Sequence, residues 1–165
     1  MVTIKELQNR TEMIQAYPVM NELRTDLSEK TYLALVEEMR KEGYRLFALY
    51  EDDEIVSLAG IGERVNFYNK HHMYIYDLIT SSNHRSKGYG KQLLEYVHRL
   101  ADEIGVKYVA LESGLERRDA HRFYEEKLGY EKWCFSFRKK LSKIYEGPSL
   151  KLEGRTSIVD QFRIR

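Results

Sequence analysis

The stretch HRSKGYGKQLLEYVHRL, residues 84–100, decides how this chain is read. A basic residue, Arg85, precedes Gly88 and Gly90, and the glycines lead directly into an apolar stripe at helical spacing. Tyr89, Leu93, Val97, Leu100 and, just beyond, Ile104 form that stripe; Lys91, Glu95, Arg99 and Asp102 fall opposite, and Gly105 is a stop signal. A helix N-terminus carries unpaired N–H groups and the positive end of the helix dipole. Glycine there lets the backbone approach a bulky anion closely. Residues 86–91 therefore offer a cradle for a phosphate or pyrophosphate. A bare GxG also makes a tight surface turn, and the spacing alone leaves both readings open. Other nucleotide loops fit less well. Nothing matches GxxxxGK[ST], and Gly88-Tyr89-Gly90-Lys91-Gln92-Leu93 lacks the third glycine of a dinucleotide fingerprint. A nucleotide-binding regulator is thus the weakest reading.

Working outward, MYIYDLIT (residues 73–80) reads as a strand entering the loop. Residues 44–50 and 55–61 read as a hairpin around Glu51-Asp52-Asp53-Glu54, and residues 67–72 as a loop. Further upstream, Ser28 is a candidate cap for a helix with Tyr32, Leu35, Val36 and Met39 on one face and Gly43 as its stop. A helix after Thr11 is expected to break at Tyr17-Pro18, and residues 2–7 alternate like a strand. Downstream come a strand over 106–111, a helix over 117–128 closed by Gly129, and a last strand over 131–140, where Trp133, Phe135 and Phe137 alternate. The order β-αα-βββ-α-β-α-β predicts an α/β protein with a mixed sheet, antiparallel first and parallel later. One domain is expected over 1–141. The tail, 142–165, alternates weakly, which leaves added strands, a homodimer arm or disorder open.

Composition narrows the partners. The chain has 165 residues, and 27 Lys+Arg balance 26 Asp+Glu, so no global charge draws it to nucleic acid or a membrane surface. The single Cys134 excludes an internal disulfide and fits a reducing compartment. MVTIKELQNR lacks the apolar core of a signal peptide, and no run approaches the ~20 apolar residues of a spanning helix. A cytoplasmic protein is expected. His71, His72, His84, His98 and His121 lack ligand spacing, so no metal is expected. His98 is expected on the polar face of its helix, and Cys134 in buried packing.

Arg85-x-x-Gly88-x-Gly90, directly after DLIT, resembles the pyrophosphate loop of the GNAT family of N-acetyltransferases. The family also tends to carry A-x-x-x-Y-E-x-x-G-[FY] in a later helix. Here AHRFYEEKLGY, residues 120–130, is similar, with one residue more between Tyr124 and Gly129. LESGLERRDAHRFYEEKLGY and ELRTDL (residues 22–27) resemble a widespread bacterial subgroup of mostly unassigned substrate, and the resemblance covers about residues 2–141. It implies a central mixed sheet with helices on both faces, and a strand before the loop that splays from its neighbour. The backbone of Leu78, Ile79 and Thr80 would then bind the pantetheine arm and thioester carbonyl of acetyl-CoA. Arg85 and the backbone of Ser86, Lys87, Gly88, Tyr89, Gly90 and Lys91 would hold the pyrophosphate. The resemblance makes Tyr124 the general acid for the leaving thiolate, and either Glu112 or Asp77 the general base. Arg117 stands where many members have an asparagine, and Arg117 or Arg118 would meet an anionic part of cofactor or substrate. After Gly129 only one strand is legible where the family has two. The implied function is acetyl-CoA-dependent N-acetyl transfer by direct attack in a ternary complex. The acceptor would be a small-molecule amine or a peptide or protein amine; the alternative is a non-catalytic acyl-CoA-binding module.

Overall fold

The structure is a computed structural model that describes residues 1–141. The chain divides into two units, Met1–Trp133 and Cys134–Arg165. The expectations for the tail lie outside the described residues.

The first unit is built on a five-stranded sheet in chain order: β1 (Val2–Glu6), β2 (Arg45–Glu51), β3 (Glu54–Asn66), β4 (Lys70–Thr80) and β5 (Val109–Leu111). The first four pair antiparallel, and β5 runs parallel to β4. Helices α1 (Arg10–Leu23) and α2 (Glu29–Lys41) join β1 to β2. α3 (Tyr89–Glu103) makes the β4–β5 crossover, and α4 (Arg118–Arg122) follows β5. Helices cover both sheet faces. Leu46 and Ala48 of β2 pack with Met13, Ala16 and Met20 of α1 and Leu33 and Val36 of α2; Phe47 and Leu49 pack with Leu93, Leu94 and Val97 of α3. Period-2 alternation distributes one strand between two cores, and this is why β2 is apolar on both faces.

The ends of α1 and α2 follow local chemistry. Asn9 and Glu12 form a reciprocal capping box on α1, and Ser28 caps α2. The expected break at Tyr17-Pro18 does not occur, and α1 runs through Pro18. The bond that Pro18 cannot donate is the one to the Ile14 carbonyl, and Ile14 is 38% exposed, so the loss falls on a solvent-facing side of the helix. Residues 67–72 also differ from expectation, since β4 begins at Lys70.

Two further differences lie after α3. The strand expected over 106–111 is only three residues, and the strand over 131–140 does not form. Trp133, Phe135 and Phe137 do alternate, but a strand needs a neighbour to accept its hydrogen bonds, and among the described residues none pairs with them. Cys134 is exposed rather than buried.

Among the described residues no helix is long and apolar enough to cross a membrane.

Candidate active site

The site begins with a bulge in β4. Gly60 pairs with Asp77 but Ile61 pairs with Ile75, so Tyr76 is an extra residue. The insertion reverses the alternation. Met73 and Ile75 face the α3 core, but so does Leu78, and Ile79 faces the α1/α2 core. Pairing to β5 covers only Met73, Tyr74 and Ile75. Beyond the bulge, residues 76–80 have β3 on one side and, among the described residues, no strand on the other.

The second wall is the loop. Ser81 leads into a 3₁₀ turn over Ser82–His84. Ser86 and Gly88 then take positive φ, at 63° and 82°. Gly88 is the N-cap of α3 and supplies no side-chain acceptor, and the first turn of α3 has no acidic residue. α1 and α2 differ here: each has a capping side chain and a first-turn glutamate. The first N–H groups of α3 therefore have neither a capping side chain nor a first-turn carboxylate, which suits an anion.

Glu51, at the end of β2, anchors this loop. It accepts a hydrogen bond from the Tyr89 hydroxyl, and Lys87 Nζ lies 3.3 Å away. That bond to the carboxylate, ahead of partial desolvation, pushes the Tyr89 phenol up to about 12. The same contact, followed by Lys87 and the more distant His84, holds Glu51 below the ordinary carboxylate range. On the other flank Arg85 Nε donates to the Thr80 carbonyl at 3.3 Å.

The third wall comes from the segment after β5. α4 continues into a π-helical turn, Phe123–Lys127. A π-turn holds one residue more than an α-turn, so it absorbs the extra residue between Tyr124 and Gly129. Tyr124 packs edge-on against Phe123 and beside Tyr130, with ring centroids 5.5 and 5.7 Å away. Burial raises its phenol above the ordinary 10, and nearby Arg117 opposes this. His98 is half-buried rather than on a polar face; its Nε2 lies 2.7 Å from the Tyr130 hydroxyl.

These walls enclose a cleft of about 890 Å³. Leu78, Ile79, Thr80, Arg85, Ser86, Gly88, Tyr89, Gly90, Lys91, Arg117 and Tyr124 all line it. Lys87 does not; its amine turns to Glu51. Arg118, the alternative to Arg117, lines it as well; sequence reasoning missed His84, Glu116, Asp119, Ala120, Phe123 and Lys127 as lining residues. His84, Glu116 and Phe123 neighbour residues that were named, which was the available signal. Arg85, Lys91, Arg117, Arg118 and Lys127 outnumber Glu116 and Asp119 around the cleft, so its field favours an anion.

The two carboxylates lie outside that lining. Glu112 is exposed and immediately follows Leu111, the last residue paired with β4. It is close enough to Tyr74 to contribute, after burial, to the raised phenol there. Asp77 is buried on the α1/α2 side. Arg24 Nε and Nη2 donate to its Oδ1 at 3.0 and 2.7 Å, and the Tyr44 hydroxyl donates to Oδ2 at 3.0 Å. Sequence reasoning gave no sign of Arg24 or Tyr44 as its partners.

Residues 7–130 match the model of the acetyltransferase (GNAT) family. The chain is 46% identical over 140 residues to the uncharacterized N-acetyltransferase YhdJ of Bacillus subtilis (strain 168), covering 84% of this chain and 99% of that protein. Among solved structures, the aminoglycoside N-acetyltransferase AAC(6')-Iy in complex with CoA superposes with a TM-score of 0.75 at 18% identity, covering 85% of this chain and 95% of that one. A ribosomal-protein-alanine N-acetyltransferase from Brucella melitensis biovar Abortus 2308 gives 0.71 at 14% identity, covering 85% and 100%. At these identities the structural likeness is one of fold.

Proposed function

The chain belongs to the acetyltransferase (GNAT) family and is an N-acetyltransferase, and from that premise we propose that it transfers the acetyl group of acetyl-CoA to a primary amine by direct attack in a ternary complex. One observation carries the proposal. An unpaired strand edge, an uncapped helix N-terminus and a half-buried tyrosine, from three separate segments, border one cationic cleft. Those are the parts that a thioester arm, a pyrophosphate and a leaving thiolate require. A ligand lying along the free β4 edge takes the hydrogen bonds that a further strand would take.

In this reading the backbone of Leu78, Ile79 and Thr80 meets the pantetheine arm. Arg85 and the backbone of residues 86–91 meet the pyrophosphate, with Arg117 beside another anionic group. The donor supplies an activated acyl group, and the protein supplies alignment and two proton transfers. The thiolate that leaves takes a proton from Tyr124. A raised phenol stays protonated across the physiological range, so the proton is present when needed. The incoming amine must be neutral, which at pH 7 costs about 4.6 kcal/mol for an amine of pKa ~10.4. We assign its deprotonation to Glu112, through water, because Glu112 is exposed at the end of β5, where the resemblance puts a base, whereas Asp77 is buried beneath Arg24 and Tyr44. The acceptor is a small-molecule amine or a protein amine. A lone cysteine suits the reducing cytoplasm, where we place the enzyme.

The test combines binding and turnover. Acetyl-CoA at 100 times its dissociation constant should stabilise the fold by about 2.7 kcal/mol, and ATP or NADH should not. Thiol release from acetyl-CoA across a panel of amines should then depend on the amine. Tyr124→Phe should lower kcat by roughly 10²-fold with little change in CoA affinity. Absence of any stabilisation by acetyl-CoA would remove the proposal. Binding without turnover on any amine or peptide would leave a non-catalytic acyl-CoA module in its place.

A further inference from the structure

ELRTDL, residues 22–27, plays no part in the mechanism above, yet two of its side chains grip the strand that the mechanism uses. Arg24 is the C-cap residue of α1. Besides its two bonds to Asp77, its Nη2 donates to the Tyr76 carbonyl at 3.0 Å, on the bulged residue itself. Glu22, two residues earlier, reaches the far end of the same stretch. Its Oε1 accepts from the Ser81 hydroxyl at 3.0 Å and its Oε2 from the Ser82 N–H at 2.8 Å. The bonds fall on residues 76–77 and 81–82. They skip Leu78, Ile79 and Thr80, which among the described residues have no strand on their outer side.

A strand edge without a neighbour has only one side to set its height and twist. The Glu22 and Arg24 contacts bracket the stretch from the helix layer. Glu22 also lies 3.8 Å from Arg85 Nη2, and Arg85 Nε meets the Thr80 carbonyl, so one carboxylate braces both the strand end and the loop entrance. We infer that Glu22 and Arg24 are positioning residues, a two-point clamp from α1 that holds residues 78–80 and the loop entrance in the geometry the donor binds. The inference rests on the reading of the cleft as the acetyl-CoA site. α1 has other anchors, in Met13, Ala16, Val19 and Met20 of the core, so removing Glu22 is not expected to unfold the chain.

Calorimetric titration of CoA into the full chain tests this on wild type, Glu22→Ala and Glu22→Gln, with melting temperatures of the free proteins. The alanine should weaken CoA binding tenfold or more, roughly 1.4 kcal/mol, with a melting temperature close to wild type. The glutamine retains an acceptor for the Ser82 N–H and a polar partner for Ser81, and should bind within threefold of wild type. Ser81→Ala removes one bond without touching α1. It should weaken binding about threefold, and it carries the test should Glu22→Ala fail to fold. Wild-type affinity in Glu22→Ala, or in Ser81→Ala where that stands in, overturns the clamp. Equal losses in alanine and glutamine assign the effect to charge and also overturn it. A wild type that does not bind CoA at all overturns the cofactor reading, and the clamp with it.

Discussion

Gly60→Ala probes the support beneath Asp77. Gly60 pairs with Asp77 across the β3–β4 ladder, and its missing side chain is what admits the Tyr44 ring. A Cβ there would collide with Tyr44 Oη and lie 2.6 Å from its Cε2 and Cζ. Tyr44 is 4% exposed, sits edge-on to Tyr76 at 5.4 Å, and donates its hydroxyl to Asp77. The ring must move against a packed core, which costs about 1–3 kcal/mol. In moving it gives up a hydrogen bond to a buried carboxylate, worth about 1.5–3 kcal/mol. Arg24 remains on Asp77, so the charge itself is not stripped. The expected loss is about 4 kcal/mol, a fall in Tm of roughly 8–16 °C for a domain of this size. Urea denaturation and thermal melts measure it. Because the reasoning names one neighbour, the partner variant matters. In a Tyr44→Leu background the same glycine change should cost less than about 1 kcal/mol, since the crowded atoms are gone. A wild-type-background loss below about 0.5 kcal/mol, or an equal loss in both backgrounds, would refute the account.

Three further outcomes are expected. Burial holds the His98 imidazole below its ordinary 6.5. Between that lowered value and 6.5 the unfolded chain binds the proton more readily, so stability is complete above that window and falls as pH drops through it; melts at pH 7.5 and 5.5 should differ less in His98→Gln than in wild type. Gly88→Ala meets no atom within 4 Å but must hold φ 82°. It should lose about 1 kcal/mol, or about 2–4 °C in Tm, and a variant as stable as wild type would contradict the left-handed turn. Glu51→Gln removes the carboxylate that pushes the Tyr89 phenol up to about 12. Ultraviolet difference titration should then show one tyrosine titrating closer to 10, and an unchanged curve would place Tyr89 elsewhere.

How much of this was legible in the sequence depended on the range of the cause. The loop was legible because Arg85, Gly88 and Gly90 constrain their own backbone and the helix that starts there. The Ser28 cap was legible for the same reason. Pro18 misled because a local rule forbids the helix, while packing of the flanking Ala16 and Val19 carries it through. The strand expected from Trp133, Phe135 and Phe137 failed because alternation reports two faces but not a pairing partner. The extra residue before Gly129 was visible in the spacing, but only the helix geometry decided that it becomes a π-turn beside Tyr124. His98 looked solvent-facing on a helical projection, which carries no knowledge that Tyr130 folds back onto it.

The sequence by itself determined the order of elements through α4 and the glycine turn that opens α3, because propensity, periodicity and glycine geometry act within a few residues. Only the tertiary structure decided how Asp77 is held. Nothing local to Asp77 in the sequence names its partners. Arg24 and Tyr44 reach Asp77 from 53 and 33 residues away and occupy both its oxygens. The resemblance implied that the strand before the loop splays from its neighbour; the structure decided where, at the extra residue Tyr76 and the end of the three-residue β5. A contact between residues so far apart in the chain exists only once the chain is closed on itself.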